Sequence, residues 1–215
     1  MQSSSVVSTL FLVPTQFELE CLSSSFCEEI QLAGNRLELC GFGVVASSIR
    51  TTQLIARHSP RQVLLLGIAG ALAPHIAVGE AVEFDETVCY GIGAGSGDGF
   101  VSAQELGWCQ WPIPPQIPDS IRLRTDNSET SVPLLTCCAA SDSEHDVRLK
   151  LKKHPSAVAE DMEGFSVAAA CRIAGIPLRI VRGISNLAGD RDKNNWRVSD
   201  AMASVEKTIG WALDL

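Results

Sequence analysis

Two short stretches in the last third of the chain carry the side chains best suited to chemistry. They are Ala159-Glu160-Asp161-Met162-Glu163-Gly164 and Gly183-Ile184-Ser185-Asn186-Leu187-Ala188-Gly189-Asp190-Arg191-Asp192. Each sets polar groups at the carboxyl end of a strongly apolar run that reads as a strand. In an open α/β sheet, ligands bind in the crevice just outside such strand ends. A carboxylate beside a methionine, facing an amide from a neighbouring strand, suits a ligand with sugar hydroxyls at one end and a nucleobase at the other.

The rest of the sequence must position those groups. Its 215 residues, 46% of them hydrophobic, suffice for one full-sized core, and the reading is a single domain over residues 1–215. The formal charge is -8 and no basic run exceeds Lys152-Lys153, so there is no electrostatic footprint for a nucleic acid or an anionic membrane. The expected partner is small. The eight cysteines form no C-x-x-C pair, and the four histidines stand apart from them, so neither a metal site nor a disulfide framework is expected. Most cysteines fall in apolar runs and read as small core residues kept reduced in a cytoplasm. No basic residue precedes Arg36, and the apolar Val6 to Val13 stretch is too short to span a bilayer, which argues against a signal peptide or membrane anchor.

Apolar runs alternate with helical patterns. Strands are expected at Val6 to Val13, Arg36 to Cys40, Arg61 to Leu66, Ala81 to Tyr90, Leu134 to Ala140, Ser156 to Met162 and Leu178 to Ser185. Helices are expected at Gln16 to Ser24, Val44 to His58, Glu144 to Lys153 (exposed and charged), Glu163 to Ala174 and Ser199 to Leu213. Arg61 to Leu66 is apolar without alternation, which means burial on both faces and hence a mostly parallel sheet with helices on each side. Gly67-Ile68-Ala69-Gly70 reads as the loop that closes it. The loop from Gly91 to Pro118 is the least regular part, a lid, a subunit contact or an excursion.

Four segments in order, Gly-Ile-Ala-Gly-Ala-Leu (67–72), Val-Gly-Glu-Ala-Val (78–82), Glu-Asp-Met-Glu-Gly (160–164) and Arg-Gly-Ile-Ser-Asn (182–186), resemble the nucleoside phosphorylase and nucleosidase superfamily. Within it, Ser-Asn-Leu-Ala-Gly-Asp-Arg-Asp followed by Trp196 is similar to the futalosine hydrolases. The resemblance implies a single α/β domain with a twisted, mostly parallel, partly closed central sheet flanked by helices. It also implies a homo-oligomer, no metal or organic cofactor, and hydrolysis of an N-ribosyl bond. For the futalosine hydrolases that reaction releases hypoxanthine in menaquinone biosynthesis. A nucleosidase for inosine-like or 5′-thioadenosine-type nucleosides, and a catalytically silent nucleoside-binding protein, remain the alternatives.

The same resemblance assigns roles. Glu163 matches the ribose-binding glutamate, with Met162 packed on the sugar; its plainer reading is a carboxylate favoured at a helix N-terminus. Glu18 matches the glutamate that orients the attacking water, although Glu20 lies two residues on and either could face solvent. The Gly67, Ile68 and Ala69 backbone lies at the substrate. Related phosphorylases carry a phosphate-binding arginine where this chain has Leu65, so water is the expected nucleophile. Asn186 stands where adenine-specific relatives have an aspartate, and an amide can donate to the carbonyl of hypoxanthine while accepting from its N7–H. Its plainer reading is a turn-capping asparagine. Phe17 and Phe100 are candidates to cover the base or sugar, or else belong to core or interface. Asp190, Arg191 and Asp192 are expected to fix the loop by an internal Arg–Asp pairing.

Overall fold

The structure is a computed structural model that describes residues 7–123 and 131–210. In chain order it contains β1 (Thr9–Val13), α1 (Gln16–Glu20), α2 (Ser24–Leu32), β2 (Arg36–Leu39), α3 (Gly43–His58), β3 (Gln62–Ala71), β4 (Ala81–Phe84) and β5 (Glu86–Tyr90). There follow β6 (Gly93–Ala94), β7 (Val101–Ser102), β8 (Ser120–Arg122), β9 (Pro133–Cys137), α4 (Glu144–Lys153), β10 (Ala159–Asp161), α5 (Gly164–Ala174), β11 (Leu178–Leu187) and α6 (Val198–Gly210).

The continuous apolar runs are explained by a sheet covered on both faces. Successive residues of a strand point to opposite sides. Leu10, Leu12, Val63 and Leu65 therefore join one core with Leu54 of α3 and Phe165, Val167, Ala168 and Cys171 of α5. Phe11, Val13, Leu64 and Leu66 join the other, with Phe26 and Ile30 of α2 and Met202, Val205 and Ile209 of α6.

The main path of the sheet runs β2-β1-β3-β10-β9-β5-β8, with β11 on the other edge of β3 and β4 beyond it. Strand β3 is the hinge of this topology. Its first half pairs with β1 in parallel, its Gly70 and Ala71 pair with β10 antiparallel, and its opposite edge carries β11 along nearly its full length. Because β4 passes into β5 at Asp85, the order β3, β11, β4, β5, β9, β10 returns to β3, which closes part of the sheet on itself. The sheet is mixed: β10–β3, β11–β4 and β5–β8 are antiparallel and the rest of this sheet's pairings parallel.

Several boundaries differ from expectation, each for a local reason. The helix expected at Gln16 to Ser24 is two helices, since Thr15 caps α1 and Ser23 caps α2 with their side-chain oxygens. Strand β3 does not stop at Leu66 but runs through the glycines to Ala71, and β11 runs past Ser185 to Leu187 with a bulge between Ile184 and Asn186. The run from Ala81 to Tyr90 breaks at Asp85, whose carboxylate accepts from Val132 N at 2.8 Å. The Gly91 to Pro118 segment contains the β6–β7 hairpin and an isolated Trp111–Ile117 bridge. The beginning of the first expected strand at Val6 and the end of the last expected helix at Leu213 lie outside the described residues.

The cysteines are mixed in environment. Cys40, Cys89, Cys137 and Cys171 are buried, Cys21, Cys27 and Cys109 half-buried, and Cys138 exposed, all as free thiols. Burial pushes the Cys40 thiol up to about 12. Among the described residues no helix is long and apolar enough to cross a membrane.

Candidate active site

A cavity of about 670 Å³ opens at the carboxyl ends of β3, β10 and β11, a size suited to a nucleoside-like ligand. Glu18, Ile68, Met162, Glu163 and Asn186 line it, with Phe17 and Phe42 at its edge.

Glu18 is held from two sides. Thr15 starts α1, and its hydroxyl both accepts from Glu18 N at 3.2 Å and donates to Glu18 Oε2 at 2.6 Å. Oε1 accepts from Ile68 N at 3.0 Å. Glu20, the competing candidate, is exposed and accepts instead from Gln16 Nε2 at 3.0 Å. Glu163 stands at the N-cap position of α5 without a side-chain bond to that helix; its Oε1 accepts from Gly43 N at 2.9 Å and its Oε2 lies 3.2 Å from Arg182 Nη2.

Behind both carboxylates sits Arg182, fully buried on β11. Its Nε and Nη2 donate to Asp161 Oδ2 at 3.1 and 2.6 Å, and its Nη1 donates to Leu66 O at 3.0 Å. Asp161 in turn accepts from Thr136 Oγ1 at 2.6 Å and Gly164 N at 2.8 Å, so it serves Arg182 and the start of α5. Gly67 makes the arrangement possible: its φ is +148°, and a Cβ there would run into Arg182 Nη1 and Glu18 Oε1. Burial pushes the Glu163 carboxyl up to about 7, against the opposing pull of Arg182 and with Asp161 adding to the rise.

Asn186 faces the cavity from just after the β11 bulge. Its Oδ1 accepts from Ser185 Oγ at 2.7 Å, and its Nδ2 donates to Leu187 O at 2.7 Å and to Asp190 O at 3.4 Å. It thus tethers the following loop while bordering the cavity. The expected Arg–Asp pairing in that loop does not form. Asp190 accepts from Asp192 N and Asn195 Nδ2, and Arg191 lies over the Trp196 ring at 5.2 Å.

Two further expectations are corrected. Phe100 does not line the cavity; it is buried and packs against Tyr90 with ring centroids 5.0 Å apart. Gly67 lies beneath Glu18 rather than on the cavity wall, whereas Ile68 and Ala69 do line it. Phe17 is 59% exposed and borders the opening.

Sequence reading missed two groups. Arg182 stood inside a motif without a role, although an arginine within an apolar strand is itself a signal of a buried charge partner. The other is Lys150: α4 reads as an exposed charged helix, yet this lysine is 2% exposed and paired with Glu160 at 2.9 Å. Leu65 is fully buried in the core and does not line the cavity. Among the described residues no cluster of three or more histidine, cysteine, aspartate or glutamate side chains could hold a metal ion.

Residues 35–210 match the Phosphorylase superfamily. The chain is 32% identical to the futalosine hydrolase of Streptomyces coelicolor over 69% of its own length and 63% of that protein's, so the match spans just under two thirds of that relative. It is 27% identical to the 5′-methylthioadenosine/S-adenosylhomocysteine nucleosidase of Pseudoalteromonas translucida over 83% of this chain and 78% of that one. In fold it is similar to the nucleosidase of the same name from Colwellia psychrerythraea, solved with adenine: the TM-score is 0.71 at 18% identity, covering 96% of each chain.

Proposed function

The chain belongs to the phosphorylase superfamily, and from that premise we propose that it is an N-ribosyl hydrolase acting on a 6-oxopurine nucleoside of the futalosine type. The observation that carries this reading is the pair of buried carboxylates, Glu18 and Glu163, opening on one cavity from opposite structural supports. Splitting an N-glycosidic bond develops positive charge on the sugar, so groups that hold the sugar more tightly as that charge grows accelerate the step. Glu163 accepts hydrogen bonds from the ribose hydroxyls. Glu18, fixed by Thr15 and Ile68, orients a water molecule and takes its proton as oxygen bonds to the anomeric carbon. The bond to the base breaks with its electron pair going to the base, which takes up a proton from solvent, while Glu18 returns its proton to solvent, so that one water molecule is consumed.

Water is preferred to phosphate because the position that would supply the anion-binding arginine is the core residue Leu65. Hypoxanthine is preferred to adenine because Asn186 stands where a carboxyl would suit an amino group. Of its two donor bonds the longer, to Asp190 O at 3.4 Å, is the one that a bound base can replace. Relatives named for futalosine and for methylthioadenosine both occur, so the competing substrate class is a 6-aminopurine nucleoside.

The test is a panel of futalosine, inosine, methylthioadenosine and aminodeoxyfutalosine, assayed for free base with and without phosphate. Futalosine should be cleaved fastest, at a rate that phosphate does not change, to a free sugar product. A ribose 1-phosphate product overturns the hydrolase reading, and a preference for methylthioadenosine overturns the base assignment.

A further inference from the structure

Arg191 and Lys193 line the cavity but have no task in the hydrolysis described above. The charges on the cavity wall are sorted by depth. Glu18, Glu160, Asp161 and Glu163 are buried, whereas Arg191, Lys193 and Arg197 are exposed and so stand at the mouth. The inner wall is acidic and the opening carries the cations.

Of these three cations Arg197 is committed to the fold, since it donates to Asp200 Oδ2 at 2.8 Å and to Val78 O at 3.2 Å. Arg191 is not. It lies between two aspartates in sequence and pairs with neither, because both are engaged in shaping the loop. Asp190 accepts from Asp192 N and Asn195 Nδ2, and Asp192 Oδ1 accepts from Asn194 N at 3.0 Å and Asn194 Nδ2 at 2.9 Å. Among the described residues the Arg191 guanidinium has one such partner, the face of the Trp196 ring, and the Lys193 ammonium has no hydrogen bond or ion pair. The indole is itself fixed, with Nε1 donating to Asp190 O at 3.1 Å. A guanidinium seated on a ring face keeps the N–H groups of its edge free, and two parallel N–H bonds from that edge match a carboxylate.

The sugar decides what can reach this edge. With Glu163 on the ribose hydroxyls and Asn186 on the base, C1′, C2′ and C3′ are occupied inside the cavity, and C5′ is the position left to carry an arm outward. Phe17 and Phe42, both exposed at the cavity edge, suit an apolar link between C5′ and a charged end. We propose that Arg191, seated on Trp196, binds a carboxylate at the end of the substrate's 5′ arm through two parallel hydrogen bonds, with Lys193 adding its charge. The placing of the ribose rests on the proposed function. Trp196 is a positioning residue. The site also separates the competing substrates, because futalosine carries a benzoate on its 5′ side whereas inosine and methylthioadenosine end in neutral groups. A free anion gains little there, since it meets exposed cations in water, where attraction is weak and screened by salt.

The test is equilibrium binding, by calorimetry, of the base-free sugar product of futalosine cleavage against its methyl ester. Neither compound has a base and neither can be cleaved, so the comparison depends on no base reading and on no turnover. Wild-type protein should bind the acid about tenfold to a hundredfold more tightly than the ester, the range of hydrogen bonds to a charged group. The gap should narrow as salt rises from about 0.05 to about 0.5 M, as expected of an exposed pair of charges. Arg191→Met should close it to within about threefold, and Arg191→Lys, which keeps the charge without the planar fork, should give an intermediate gap. Inosine 5′-phosphate, which lacks the apolar link, should bind no more tightly than inosine.

Equal binding of acid and ester by wild type, no binding of the acid, or a gap that persists in Arg191→Met overturns the proposal. So does an equal loss of acid and ester in that variant, which marks a purely structural role for the loop. A gain for inosine 5′-phosphate that Arg191→Met abolishes would assign the site to phosphate and remove the carboxylate arm. Release of base from nucleosides decides the hydrolase reading separately. A protein that prefers the acid but cleaves nothing would keep Arg191 and lose the hydrolase. An enzyme that cleaves futalosine and its methyl ester with equal kcat/KM would do the reverse.

Discussion

At the scale of single residues, the site is governed by burial of charge. Glu163 is buried enough that its carboxyl titrates at about 7, and only the ionised form can accept from sugar hydroxyls without donating. The value of kcat/KM should therefore rise with pH through about 7, and a profile flat between pH 5.5 and 8 would remove Glu163 from this role. The same shift has a consequence for stability. A carboxyl whose pKa is raised on folding contributes stability that is present below its ordinary value of 4.5 and is lost as pH rises through about 7. Glu163→Gln should flatten the pH dependence of thermal unfolding across that window. It should also lower turnover by about two to four powers of ten, because the interaction strengthens mainly in the transition state. Asn186→Asp sets an acceptor against the hypoxanthine carbonyl, and the ratio of activity on futalosine to activity on its 6-amino analogue should fall, by up to about four powers of ten. An unchanged ratio in the folded variant would leave Asn186 with only its observed task of tethering the Leu187 to Asp190 loop.

At the scale of elements, β3 does more than contribute a strand. By extending through Gly67 to Ala71 it pairs on one edge with β1 and β10 and on the other with β11, and so brings Glu18, Glu160 and Asn186 to one cavity. Gly67 is the point where this closeness is most exacting. Gly67→Ala would drive a methyl group into Arg182 and Glu18, both held by hydrogen bonds, and an L side chain is strained at its positive φ. Overpacking of this kind costs about 1 to 3 kcal/mol. The expected outcome is a lower midpoint of thermal unfolding together with a loss of kcat larger than any change in KM, because Glu18 must move. Wild-type values for both would show that Glu18 needs no such seat.

At the scale of the whole molecule, ligand binding and folding are linked. A base that binds only the folded state adds RT ln(1 + [L]/Kd), about 2.7 kcal/mol at a hundredfold excess over Kd. For a chain of this size that corresponds to a rise in unfolding midpoint of about 5 to 10 °C. Hypoxanthine should produce it. Inorganic phosphate at the same concentration should not, since Leu65 stands where related phosphorylases carry the phosphate-binding arginine; an equal shift with phosphate would contradict the preference for water. The family resemblance implies self-association, and Phe42, Val45 and Ile49 are the surface expected to carry it. They are exposed at i, i+3 and i+7 beside the cavity, and a mass in solution of at least twice 23.0 kDa is expected.

By itself the sequence determined what depends on order and periodicity along the chain. Apolar runs without alternation specified strands covered on both faces, and glycine and proline marked the end of α5. The motifs that resemble the superfamily are also local, and Glu18, Glu163 and Asn186, which that resemblance singles out, line one cavity. Tertiary structure alone decided what depends on residues far apart in the chain. Lys150 lies on a helix whose pattern reads as exposed, and only the packing of Val147 and Leu151 of α4 against the cluster of Leu72, Leu135, Cys137 and Ala157 turns it inward onto Glu160. Phe100 has the composition of a cavity aromatic, and only its contact with Tyr90 assigns it to packing. Gly67 to Gly70 reads as a loop because glycine is a poor strand residue, yet pairing with β10 and β11 supplies the hydrogen bonds that keep it extended. The register row of Glu160, Gly70 and Asn186 across β10, β3 and β11 joins three segments separated in sequence, and no spacing along the chain encodes it; it exists because β3 is paired on both edges at one glycine.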